Sequence, residues 1–83
     1  MTRIAVIGLG EAGRRYAVGL SRAGAEVRGY DPDPREADPA VPRVDTLAEA
    51  VTSADVAISL VGAHAAVSVA EQVAPLLEAG RLY

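Results

Sequence analysis

The chain has 83 residues, 51% of them hydrophobic, and a formal charge of −3 from eleven acids against eight basic residues, every one an arginine. This composition suits one small folded domain rather than a disordered chain. With no basic run longer than Arg14-Arg15, nucleic acid is not expected as a partner. The acidic balance and the shortness of every apolar run argue against a membrane. Absence of cysteine excludes disulfides and thiolate metal sites, and the single histidine, His64, leaves no expected metal centre. A cytoplasmic protein is expected.

Ile4-Ala5-Val6-Ile7 is a continuous, β-branched apolar run, the pattern of a central parallel strand buried on both faces. Gly8, Gly10 and Gly13 follow at once. A helix is predicted over Glu11 to Arg22, with an apolar stripe at Ala12, Tyr16, Leu20 and Ala23 and Gly24 as a left-handed stop. Gly19 costs that helix about 1 kcal/mol relative to alanine. Glu26 to Tyr30 reads as the second strand, ended by Asp31-Pro32-Asp33-Pro34. Four prolines between Pro32 and Pro42 predict an irregular surface segment.

Arg43-Val44 reads as a very short third strand. Thr46 and Glu49 fit a capping box in front of a short helix. Asp55 to Val61 reads as the fourth strand, stopped by Gly62. A further helix is predicted over about His64 to Leu77, with Pro75 bending its end, and Arg81-Leu82-Tyr83 reads as the start of a fifth strand. The expected fold class is therefore α/β, a partial three-layer Rossmann-type parallel sheet of about four strands plus the start of a fifth, in the order 3-2-1-4.

Gly8-Leu9-Gly10-Glu11-Ala12-Gly13 matches the dinucleotide fingerprint in its proper place, after an apolar strand and at the start of a helix. Gly8 permits the tight turn, Gly10 leaves room for a pyrophosphate, and Gly13 lets the helix pack closely. Free amides and the helix dipole at that end favour a phosphate. Glu11 is expected to point outward, away from that charge. Asp31 stands 23 positions after Gly8, where its carboxylate can accept the adenosine ribose hydroxyls. The plain alternative is a loop-start aspartate capping its own backbone. Arg35, with Arg28 near the same edge, is a candidate for a 2′-phosphate, although an exposed loop arginine is the commoner case. Leu60, Val61 and Gly62 end the strand that faces the cofactor in this architecture. His64 reads mainly as a solvent-facing residue, and Ser59 has no base beside it in sequence. No GxxxxGK phosphate loop is present.

The segments IAVIGLGEAG at Ile4 to Gly13, AEVRGYDPDP at Ala25 to Pro34 and DVAISLVGAHAAVSVAEQVAPLLEAGRLY at Asp55 to Tyr83 cover most of the chain. In these, the sequence resembles the N-terminal NAD(P)-binding domain of the β-hydroxyacid dehydrogenases, and within them the 6-phosphogluconate dehydrogenase-like group. The resemblance implies that Leu9, Gly10, Glu11 and Ala12 form the phosphate-side loop, that Asp31 selects the adenosine ribose, and that Leu60 and Val61 touch the cofactor. Family members commonly carry methionine at the place of Ala12. The resemblance implies that the family's substrate-binding serine loop, its catalytic lysine and asparagine, and its helical C-terminal domain are to be expected outside these 83 residues.

Residues 1–83 are thus expected to be the N-terminal part of a dinucleotide-binding domain, without the catalytic C-terminal domain. The expected function is the NAD(P)-binding portion of an oxidoreductase acting on a β-hydroxyacid or related small substrate; the alternative is a non-catalytic regulatory or redox-sensing module. NAD is slightly favoured over NADP, because a carboxylate at Asp31 repels a 2′-phosphate. Catalysis and a small-molecule substrate are expected only of a longer parent, a homodimer is expected through missing or exposed regions, and the chain alone is expected to be inactive and marginally stable.

Overall fold

The computed structural model describes residues 2–76 and Tyr83, with the backbone alone for residues 63–65. In chain order the elements are β1 (Arg3–Ile7), α1 (Glu11–Arg22), β2 (Glu26–Tyr30), α2 (Leu47–Thr52), β3 (Val56–Ser59) and α3 (Ala63–Val73), followed by a 3-10 turn at Ala74–Leu76. Pro75 explains the change of helix type, since it has no amide to donate and its ring crowds the preceding turn. Leu77, Arg81 and Leu82, the predicted helix end and the first two residues of a fifth strand, lie outside the described residues.

Parallel pairing places β1 in the middle, in the order β2-β1-β3, with Ile4 opposite both Val27 and Val56. Being central and covered on both faces, β1 must be apolar at successive positions, and Ala5, Val6 and Ile7 are fully buried. Ala5 and Ile7 pack with Leu47, Val51, Ala57 and Val73 on the face of α2 and α3. Val6 packs with Leu9, Ala17, Val27 and Val41 on the face of α1.

The expected sheet of four strands with the start of a fifth is corrected by this topology: three strands are formed among the described residues. Arg43 makes only an isolated parallel bridge to Gly29 on the outer side of β2. The Gly29 amide donates to the Pro42 carbonyl at 2.8 Å, and the Val44 amide donates to the Gly29 carbonyl at 2.9 Å. Pro42 has no amide to extend that ladder, and Thr46 already caps α2, so no room remains for a strand.

The apolar stripe of α1 is also not the expected one. Gly13 and Ala17 are buried, whereas Ala12 and Ala23 are exposed and Tyr16 is 59% exposed. Rotation of the helix is dictated by Gly13, which rests on the Gly8 carbonyl; a Cβ there would lie 1.8 Å from that oxygen. At the far end, Gly24 takes φ 99°, the left-handed conformation that ends the helix. In α2 the Thr46 hydroxyl oxygen accepts from the Glu49 amide at 3.1 Å, and the hydroxyl itself meets the Glu49 carboxylate at 3.3 Å.

Two glycines of α1 therefore have opposite expected responses to alanine. Gly13→Ala should cost about 2 kcal/mol or more, because backbone must move to admit the methyl group. Gly19 has nothing within 4 Å of its missing Cβ, so Gly19→Ala should stabilise by up to about 1 kcal/mol. Urea unfolding of both variants checks this, and a Gly13→Ala variant as stable as the unaltered chain would contradict the packing.

Candidate functional site

The carboxyl ends of all three strands meet at the turn between β1 and α1. Gly8 has φ 100°, a conformation that side chains disfavour. Its amide donates to the Tyr30 carbonyl of β2 at 2.8 Å. On its other side a Cβ would lie 2.9 Å from the Leu60 carbonyl. Gly8 is thus wedged between the ends of β2 and β3, and a larger residue would push those strands apart. The Leu60 amide closes the arrangement by donating to the Ile7 carbonyl at 2.7 Å.

Asp31 fastens this turn from the β2 side. Its Oδ2 accepts from the Leu9 amide at 2.7 Å, and its Oδ1 accepts from the Asp33 amide at 2.8 Å. The second bond is the self-capping turn that the sequence offered as an alternative. The first is a contact across 22 residues that local sequence could not reveal. Each carboxylate oxygen has a further lone pair, so Asp31 can hold the turn and still accept a ribose hydroxyl. Leu9 enters the site through its backbone: its side chain is fully buried, with Gly29 and Val41 beneath it.

Beyond Leu9 the surface opens. Nothing lies within 4 Å of a Cβ built on Gly10, and Gly10 caps α1 without any side-chain hydrogen bond. The first-turn amides of α1 are therefore free of a side-chain cap, the donor set that an anionic pyrophosphate requires. Ala12 is exposed. Glu11 lies on the outer surface in an ion pair with Arg15 at 2.7 Å. On the β3 side Leu60 is exposed and Val61 packs against the α2–α3 core. Gly62 caps α3, again without a side-chain bond. His64 belongs to the first turn of α3, and its side chain lies outside the described residues.

The two arginines considered for a 2′-phosphate are otherwise engaged. Arg35 is bound to the Asp33 carboxylate through Nε at 3.1 Å and Nη2 at 3.0 Å. That guanidinium holds the Asp33 carboxyl below the usual carboxylate range, and Asp33 in turn raises Arg35. Any stabilisation from the pair is present above the unfolded pKa of Asp33 and fades as pH falls through the lowered folded value. With Arg35 88% exposed, solvent keeps that contribution small. Arg28 is turned away from the site, toward Ser53 and Glu26.

A residue that sequence reading used only as a strand former matters more. Half-buried Arg43 donates to carbonyl groups of Asp31, Asp33, Glu36 and Val44 and so gathers the loop after β2.

No helix of the described residues is long and apolar enough to cross a membrane, and no cluster of three potential metal ligands occurs among them.

Comparison with solved structures finds the same fold in proteins of greater length. A conserved hypothetical protein from Sinorhizobium meliloti 1021 is 36% identical, with a TM-score of 0.83 over 98% of this chain and 31% of that one. An imine reductase from Bacillus cereus BAG3X2 is 27% identical, with a TM-score of 0.79 over 99% of this chain and 30% of that one. A pyrroline carboxylate reductase from Plasmodium falciparum, solved with NADP bound, shares the fold at 21% identity and a TM-score of 0.83, over 98% of this chain and 32% of that one. The chain spans about a third of the length of these proteins. No curated protein sequence matches it. The sequence model of the NAD binding domain of 6-phosphogluconate dehydrogenase matches residues 3–83. The chain belongs to that family, and is a Rossmann domain that binds a dinucleotide, NAD or NADP.

Proposed function

We propose that this domain is the cofactor-binding part of an NAD-dependent oxidoreductase acting on a β-hydroxyacid or a related small substrate, with the substrate-binding and catalytic groups carried by a further part of the polypeptide. The family assignment supports the reaction class, and the names of the imine and pyrroline carboxylate reductases extend it to other small substrates. The observation that carries the cofactor reading is Asp31, held at the end of β2 by the Leu9 amide.

In this reading the pyrophosphate would be held by the first-turn amides of α1 beside the open space at Gly10, with Leu9, Glu11, Ala12 and Gly13 completing the turn. Asp31 would accept hydrogen bonds from the adenosine ribose hydroxyls, and Leu60, Val61 and Gly62 would flank the cofactor on the β3 side. When bound, the cofactor supplies the hydride chemistry, while these residues bind and orient it. NAD is favoured because a carboxylate at the ribose repels a 2′-phosphate. Arg35 can approach such a phosphate only by leaving Asp33.

Calorimetric titration with NAD and NADP tests this reading. Gly10→Ala should keep stability within about 1 kcal/mol yet weaken NAD binding tenfold or more, since the added methyl group enters the space of the phosphates. Asp31→Ala should weaken NAD about tenfold, the scale of a charge-assisted hydrogen bond, and NADP by less. Tighter binding of NADP than NAD by the unaltered chain would overturn the cofactor preference.

A further inference from the structure

We infer that Arg43 is a positioning residue for the adenosine half of the dinucleotide, setting the loop after β2 so that Asp31 meets both the glycine turn and the ribose. The inference rests on the cofactor reading above and adds a residue outside the set that this reading gives to the cofactor. Its support is the placement of one side chain between a fixed strand edge and a loop.

The backbone of Arg43 is fixed to the sheet. It lies between the two hydrogen bonds that join Pro42 and Val44 to Gly29 of β2. From that anchor the guanidinium reaches under the loop. Nη2 donates to the Asp31 carbonyl and, at 3.3 Å, to the Asp33 carbonyl; Nε donates to the Glu36 carbonyl at 3.3 Å; Nη1 donates to the Val44 carbonyl at 3.4 Å. Carbonyls of three loop residues, 31, 33 and 36, thus converge on one planar group. Only arginine presents enough donors in a rigid fork to hold them together; a lysine ammonium is a compact point charge that cannot span the same set.

The two ends of Asp31 are consequently held by different partners. Arg43 fixes its backbone carbonyl, while the Leu9 and Asp33 amides fix its carboxylate. The irregular, proline-broken segment from Pro32 to Pro42 has little repetitive structure to define its course. Arg43 supplies that definition from the side. No ion pair to Arg43 forms among the described residues, which leaves its donors to the loop carbonyls.

Arg43→Lys separates positioning from charge, because it keeps the cation and removes the fork. NAD affinity should fall about tenfold and NADP affinity less than threefold, so that the preference between them narrows. The Leu9 amide, followed by NMR, should exchange faster with solvent while its bond to Asp31 still forms in most molecules, and the melting temperature should stay within a few degrees of the unaltered chain. NAD binding within twofold of the unaltered chain, or equal losses for NAD and NADP with a lowered melting temperature, would overturn the inference. Failure of the unaltered chain to bind either dinucleotide would instead defeat the cofactor reading itself, and the inference with it.

Discussion

The hydrogen bond from the Leu9 amide to the Asp31 carboxylate is the contact on which the ligand-binding edge depends. Leu9 is fully buried, so its amide has no recourse to water. Left without an acceptor, such a group costs about 1–3 kcal/mol. An ionised acceptor makes a shorter and stronger bond than a neutral one, and the 2.7 Å separation fits that expectation. The bond ties the end of β1 to the end of β2 just past the point where their ladder stops. Leu9 is gripped at both ends, its amide by Asp31 and its side chain in the space that Gly29 leaves open. The next residue, Gly10, then projects into free space at a defined place and angle. Preorganisation of this sort lowers the ordering cost of binding, because the loop does not have to be fixed by the ligand.

A second constraint acts on the same turn from the helix side. Gly13 packs on the Gly8 carbonyl more closely than any side chain would allow, which holds the start of α1, capped by Gly10 without a side-chain bond, against the turn. The three fingerprint glycines therefore answer three different steric demands: a left-handed turn against the β3 backbone at Gly8, open space at Gly10, and close contact at Gly13. Substituting them is not one experiment repeated, since two of the positions report on the fold and one on the ligand.

Much of this was legible in the sequence. The bounds of α1 and β2 coincide with those read from glycine, proline and periodicity, because strong local signals mark both ends of each. The third strand was misread: Arg43 and Val44 have suitable side chains, but a strand needs a run of backbone donors, and Pro42 removes one at the critical place. The buried side of α1 was misjudged by one residue, since hydrophobicity favoured Tyr16 whereas the rotation of the helix is set by a backbone contact at Gly13. Arg43 was invisible because carbonyl groups, its partners, have no residue-specific signature. A glycine within a strand, such as Gly29, often marks close approach by another group, and here that group is the Leu9 side chain.

The central claim is that the ends of the three strands form one dinucleotide cradle joined through Leu9 and Asp31. An amide-resolved NMR titration of the chain with NAD tests it most directly. The account predicts that the largest shifts fall on Gly8 to Gly13, on Asp31 to Asp33, and on Leu60 to Gly62, all with one affinity. Shifts centred elsewhere, or shifts at the glycine turn with none at Asp31 and Asp33, would contradict it.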